Sequence, residues 1–122
     1  MSPNLMLVYT NAVGGQEAVF NQWYDERHLG DILDVPGVVS AQRYALAPMA
    51  IPEGDDVPAQ LPPPAHRYLT VYEFEGDPDD VMSEFVARAG TDRMQLSDAL
   101  DLSTVSVATW VPSGPRRSST GS

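Results

Sequence analysis

The chain contains no cysteine, which removes disulfides, thiolate nucleophiles and cysteine-ligated zinc or iron–sulfur centres at once. Lysine is absent too: all seven basic residues are arginine, so Schiff-base chemistry and a phosphate-loop lysine are excluded. Histidine is limited to His28 and His66, with no His-x-Glu or paired-His spacing on a helix, and no metal site or cofactor is expected. No Gly-x-Ser-x-Gly elbow occurs, and Gly14-Gly15 is a turn that lacks the further glycines of a phosphate loop. Nowhere do about 18 apolar residues run together, and Met1-Ser2-Pro3-Asn4 opens no charged leader. A cytoplasmic protein without a membrane partner is the expectation. With 17 acids against 7 bases the net charge is −10, so the basic patch that draws nucleic acid or anionic lipid is missing.

What is present suits one folded domain. The 122 residues are 43% hydrophobic and 20% charged, enough apolar surface for a single core and too little chain for two. Leu5 to Thr10 reads as a buried strand bounded by Asn11 and Gly14-Gly15. From Gln16 the period becomes helical, with Val19, Phe20, Trp23, Tyr24 and Arg27 on one face and Gly30 as the terminator. Asp31 to Val35 adds a short turn, Pro36 stops it, and Val38 to Ala47 alternates as a second strand. Residues 48–66 are proline-rich with an acidic centre, an exposed loop that serves either as a lid or as a partner-binding arm.

Arg67 to Glu75 is the clearest strand, with Tyr68, Thr70, Tyr72 and Phe74 on one side. Asp77 then caps a helix that has Pro78 at its first position, an apolar face of Val81, Met82, Phe85, Val86 and Ala89, and Gly90 as its end. Met94 to Leu102 predicts a short helical turn under the sheet. Ser103 to Val111 predicts the last strand, stopped by Pro112, and residues 113–122 form a flexible tail after a domain spanning residues 1–112. The order β-α-β-β-α-β is that of the α+β, ferredoxin-like split βαβ arrangement, a four-stranded antiparallel sheet with both helices on one face. Leu69, Val71, Val105, Val107 and Val111 place apolar side chains on both sides of the sheet, and two helices bury only one. A homodimer packed sheet on sheet is therefore expected.

Chemistry concentrates between Phe20 and Tyr44. His28, four residues after Tyr24, shares its inward face on an unbroken helix, and an imidazole exchanges protons near neutral pH without a cofactor. Asp31 is placed to orient that ring or to cap the next turn, and Tyr24 to donate to a substrate oxygen or serve the core. Arg27 and Arg43 are candidate anchors for an acidic group or members of salt bridges. Trp23, Tyr72, Phe74 and Trp110 suit a flat apolar ligand or a core.

The segment Phe20-x-x-Trp23-Tyr24-x-x-Arg27-His28-Leu29-x-Asp31-Ile32-Leu33, followed by Val35-Pro36-Gly37-Val38 and Gln42-Arg43-Tyr44, resembles the EthD-like members of the dimeric α+β barrel superfamily. The resemblance covers the first 44 residues, with the later strands matching as pattern, and departs where many relatives have proline and this chain has Gly30. It implies a dimeric barrel whose first-helix histidine, here His28, borders a pocket between helices and sheet. It also implies a cofactor-independent enzyme that moves protons on an aromatic, polyketide-like or other apolar carbonyl compound by dehydration, isomerisation, cyclisation or elimination. In that reading His28 is the acid/base, Asp31 orients it, Tyr24 steadies an oxyanion and Arg43 holds an acidic group. A cofactorless monooxygenase and a non-catalytic dimer that binds a ligand or partner are the alternatives, since this fold serves many activities.

Overall fold

The computed structural model describes residues 2–48 and 62–120; Met1, most of the proline-rich connection (residues 49–61) and residues 121–122 lie outside the described residues. Strands β1 (Asn4–Thr10) and β3 (Tyr68–Phe74) have the same alternating burial. Successive side chains take opposite faces of a strand, so Met6, Val8 and Thr10 line one face with Thr70, Tyr72 and Phe74, while Leu5, Leu7, Tyr9, Leu69 and Val71 take the other. Strand β2 (Val38–Ala45) pairs with β3, and β4 (Ser106–Trp110) pairs with β1. The sheet order is β2-β3-β1-β4 with every neighbouring pair antiparallel.

Simple alternation puts Val38 and Ala41 on opposite faces of β2, but a bulge intervenes: Val38 pairs with Phe74 and Ser40 with Glu73. The extra residue reverses the phase, so Val38 and Ala41 both pack on the core and Val39 is left 54% exposed. The fourth strand begins at Ser106 rather than Ser103, because Asp101 caps a single 3-10 turn over Leu102–Thr104, accepting from Ser103 N at 3.1 Å and Ser103 Oγ at 2.6 Å.

The first helical run continues past its expected end. It comprises α1 (Glu17–Trp23), a π-helical segment (Tyr24–His28) and α2 (Leu29–Leu33). Gly30 sits inside α2 instead of ending it; the helix runs to Leu33 with Asp34 as its C-cap, and Pro36 two residues on bars any continuation. Gly37 (φ 96°) then turns the chain into β2 with its carbonyl accepting from Glu75 N at 2.7 Å. Any side chain there would be driven into the Glu75 carbonyl, since a Cβ would lie 2.7 Å from its oxygen.

Helix α3 (Pro78–Arg88) starts as the sequence predicts, with Asp77 Oδ1 accepting from Asp79 N at 2.9 Å and proline in the first turn. Its inward face is narrower than predicted, since Val86 is 65% exposed. No helix forms over Met94–Leu100. That stretch is an extended strap pinned by two isolated bridges, Ala89 to Met94 and Ala12 to Leu100, and it buries Met94, Ala99 and Leu100.

Both helical runs pack on the face of Met6, Val8, Tyr72 and Phe74, giving an α+β fold with two groups of core residues. One joins Ile32, Val35, Val81 and Met94 to the sheet. The other gathers Phe20, Tyr24, Ala99 and Leu100. Among the described residues no helix covers the opposite face, where Trp110 and Tyr44 are 55% and 52% exposed. Tail residues Pro112 to Arg116 share a hollow of about 460 Å³ with Leu5, Val71, Glu73 and Trp110 on that side. No helix among the described residues is long and apolar enough to cross a membrane.

Candidate functional site

The π-helical segment determines which side chains meet. The Leu29 N–H reaches back five residues to the Tyr24 carbonyl, where a regular α-helix reaches back four. In a regular helix, residues five apart diverge by about 140°; here the wider turn superposes them. Trp23 and His28 stack with ring centroids 4.4 Å apart, and Tyr24 meets the same imidazole edge-on at 4.8 Å. Single π turns of this kind recur at functional sites. Trp23 is fixed in turn by donating from Nε1 to the Gln95 carbonyl of the strap at 3.2 Å.

Beside this triad lies a cavity of about 150 Å³. Val8 and Thr10 supply its sheet wall, Tyr24 and His28 the π segment, Phe85 and Ala89 the end of α3, and Leu96, Leu100, Leu102 and Val105 the strap and the turn after it. Val8, with Phe85 and Ala89 packed on its group, belongs to one core group, and Tyr24 and Leu100, with Leu96 and Val105 packed on theirs, to the other, so the cavity is the seam between the two groups. The surface it presents is almost entirely carbon.

His28 is 4% exposed, and its Nδ1 is buried with no hydrogen-bond partner. Burial, assisted by the positive charge of Arg43, lowers its pKa to about 4, because a low-dielectric surrounding disfavours the charged form. The ring is therefore neutral at pH 7. Burial also raises Tyr24, against smaller opposing effects from Thr70, Tyr72 and Arg43, so its hydroxyl stays protonated and able to donate. Tyr72 is held well above the usual phenol range by burial and then by Tyr24. The Tyr24, Thr70 and Tyr72 hydroxyls influence one another, yet Tyr24 Oη and Tyr72 Oη, like Thr10 Oγ1, lack a partner in hydrogen-bonding geometry.

Of the residues singled out in the sequence, Tyr24 and His28 line the cavity. Trp23 backs the imidazole from its other side. The Asp31 carboxylate accepts from Arg27 Nε at 3.1 Å, one turn away, instead of from the His28 ring. Arg43 turns to the far side of Tyr24: its guanidinium lies 4.5 Å from that ring's centroid and donates to Asp25 Oδ1 at 2.9 Å and Asn21 Oδ1 at 2.8 Å. Tyr72 and Phe74 are core residues outside the cavity wall, and Trp110 lies on the opposite face of the sheet. The rest of the wall, Thr10, Phe85, Leu96, Leu100 and Val105 among it, had not been singled out. Thr10 was accessible to sequence reasoning, since it continues the inward alternation of Met6 and Val8.

A wider, open hollow of about 410 Å³ lies on the opposite face of the sheet around Tyr9, Tyr44 and His66. His66 is already committed there, donating from Nε2 to the Thr104 carbonyl at 2.6 Å and packing on Tyr9 with centroids 5.4 Å apart. No family model, curated protein or solved structure matches the chain.

Proposed function

We propose that the protein is a small cofactor-independent enzyme of the EthD-like type that transfers protons on an apolar carbonyl compound held in the His28 cavity. The observation that carries this reading is a neutral imidazole buried at the wall of a small apolar cavity, next to a protonated tyrosine. A carbonyl substrate needs a base to take a proton from the adjacent carbon and a donor to steady the enolate oxygen. His28 is the base. Tyr24 is the donor. Trp23, stacked on the imidazole, holds its plane, and the negative charge that forms on the substrate stabilises the imidazolium that forms with it. Isomerisation, dehydration, cyclisation and elimination all pass through this step.

Exchange of solvent deuterium into the α-carbons of a simple cyclic ketone, followed by NMR, tests the step without the natural substrate. The wild-type protein should accelerate exchange, and His28→Ala should slow it by about 100-fold or more while the circular dichroism spectrum is unchanged. Equal rates in the two proteins would remove His28 from the chemistry. The cofactorless monooxygenase draws on the same apolar cavity; oxygen uptake that accompanies turnover would favour it.

The reading also makes the protein a ferredoxin-like dimeric α+β barrel. The strand order β2-β3-β1-β4 supports the first part. The apolar face of Leu5, Leu7, Tyr9, Leu69 and Val71, which neither helical run covers, supports the second. Sedimentation equilibrium should give twice the mass of one chain, and a monomer throughout the accessible concentration range would exclude the barrel.

A further inference from the structure

We infer that the His28 cavity opens to solvent beside Leu102, and that His66, steadied by Asn11, is the positioning residue that sets the width of that opening. The inference concerns access to the cavity and goes beyond the chemistry proposed for it.

Exposure locates the opening. Of the ten residues that line the cavity, nine are buried or partly buried and Leu102, at 64%, is the exposed one. Its side chain therefore has the cavity on one side and water on the other. Moving the turn that carries Leu102 away from the rest of the wall widens the opening.

That turn has a shape set locally and a place set from elsewhere. Within it, the Asp101 carboxylate accepts from Ser103, and the Asp101 carbonyl accepts from Thr104 N at 3.2 Å and Thr104 Oγ1 at 3.1 Å. Those bonds would survive if the whole turn swung outward. Among the described residues two hydrogen bonds reach it from other elements: His66 Nε2 donates to the Thr104 carbonyl at 2.6 Å, and Asp101 N donates to the Asn11 carbonyl at 3.0 Å.

His66 is itself held. Its ring packs on Tyr9, and the residues on either side of it are gripped by one side chain. Asn11 Nδ2 donates to the Ala65 carbonyl at 3.0 Å, and Asn11 Oδ1 accepts from Arg67 N at 2.8 Å. An amide can do both at once, whereas a carboxylate or an alkyl group cannot. Asn11 thus fixes to the end of β1 both the segment where the proline-rich connection rejoins the sheet and the start of the Leu102 turn.

Because the chain has no cysteine, one introduced thiol is a unique reporter of access. Val8→Cys places it in the cavity wall at a position 4% exposed, and Val81→Cys places it in the core outside that wall at a position 3% exposed. The rate at which methyl methanethiosulfonate modifies each, followed by mass spectrometry, separates local opening from unfolding of the whole chain. Val8→Cys should react faster than Val81→Cys, and Leu102→Ala should speed it further. His66→Phe, which keeps a ring against Tyr9 and removes the donor, should speed it about fivefold, the value of one net hydrogen bond, with Val81→Cys unchanged. Asn11→Ala should act in the same direction, and should add nothing to His66→Phe in the double variant because it works through that ring. Equal rates at the two thiols, no response to Leu102→Ala or His66→Phe, or a parallel rise at both thiols would each overturn the inference, and an Asn11→Ala effect that multiplies that of His66→Phe would remove Asn11 from it. Thr10→Cys, 2% exposed in the same wall, serves where Val8→Cys does not fold. Deuterium exchange reads the chemistry separately, so its failure beside the expected thiol rates would remove the enzymatic reading and leave this inference standing.

Discussion

Acidification from pH 6.5 to pH 4 should cost the folded protein roughly 3 kcal/mol through His28 alone, about 1.4 kcal/mol per pH unit. The ring's pKa falls from an ordinary 6.5 to about 4 on folding. Above pH 6.5 the ring is neutral in both states and contributes no pH dependence. Between the two values the unfolded chain takes up a proton that the native protein refuses, so stability falls as pH falls. Below pH 4 both states are protonated and the contribution levels off. Carboxylates add their own dependence at the lower end of this window, and a variant without the imidazole subtracts it. His28→Leu is the useful one, because an unpaired buried Nδ1 gives the wild type no hydrogen bond to lose. Urea midpoints measured across this range should give a flatter curve for the variant, crossing the wild type so that His28→Leu is the more stable protein near pH 4.5. Parallel curves would mean that the imidazole is not buried neutral.

The buried ring also shows where sequence reasoning reaches its limit. Inward alternation in β3 was legible residue by residue, with Tyr68, Thr70, Tyr72 and Phe74 on one side, whereas β1 read only as a buried strand and its faces follow from its pairing with β3. The start of α3 was equally legible, since Asp77-Pro78 acts through local backbone chemistry. Helical periodicity placed His28 on Tyr24's face, and the ring does reach that side of the sheet. The π turn, which brings Trp23 onto the imidazole as well, leaves no mark in a 3.6-residue pattern. Glycine at position 30 was a misleading stop signal: it is compatible with a helix interior at a cost of about 1 kcal/mol, and packing of Ile32 in the core outweighs that. The strap from Met94 to Leu100 has the apolar content of a helix, but its backbone is held by partners at Ala89 and Ala12. Contacts made across the chain are invisible to local pattern, and the cavity wall depends on them.

The same limit applies to Arg43, whose partners lie on another element. Replacing it by alanine should cost about 3 kcal/mol, as much as the imidazole's burial. The ion pair with Asp25 is a minor part of this: that carboxylate is 61% exposed, and exposed pairs contribute at most about 1 kcal/mol. More comes from the guanidinium lying over Tyr24 and within 5.6 Å of the Phe20 and Tyr68 ring centroids, worth about 1–2 kcal/mol when partly desolvated. The donation to Asn21 at 2.8 Å and burial of the side-chain stem supply the rest. The order of effects follows. Asp25→Asn should change the urea midpoint little, Arg43→Lys should lose most of what Arg43→Ala loses because an ammonium has neither the plane nor the fork, and Arg43→Ala should be the most damaging. If Asp25→Asn proved as costly as Arg43→Ala, the ion pair and not the stacked rings would be what ties β2 to the first helical run. Removing Arg43 also removes one of the two causes that lower the His28 pKa, so the loss of stability on acidification that His28 contributes should be smaller and level off at a higher pH in Arg43→Ala.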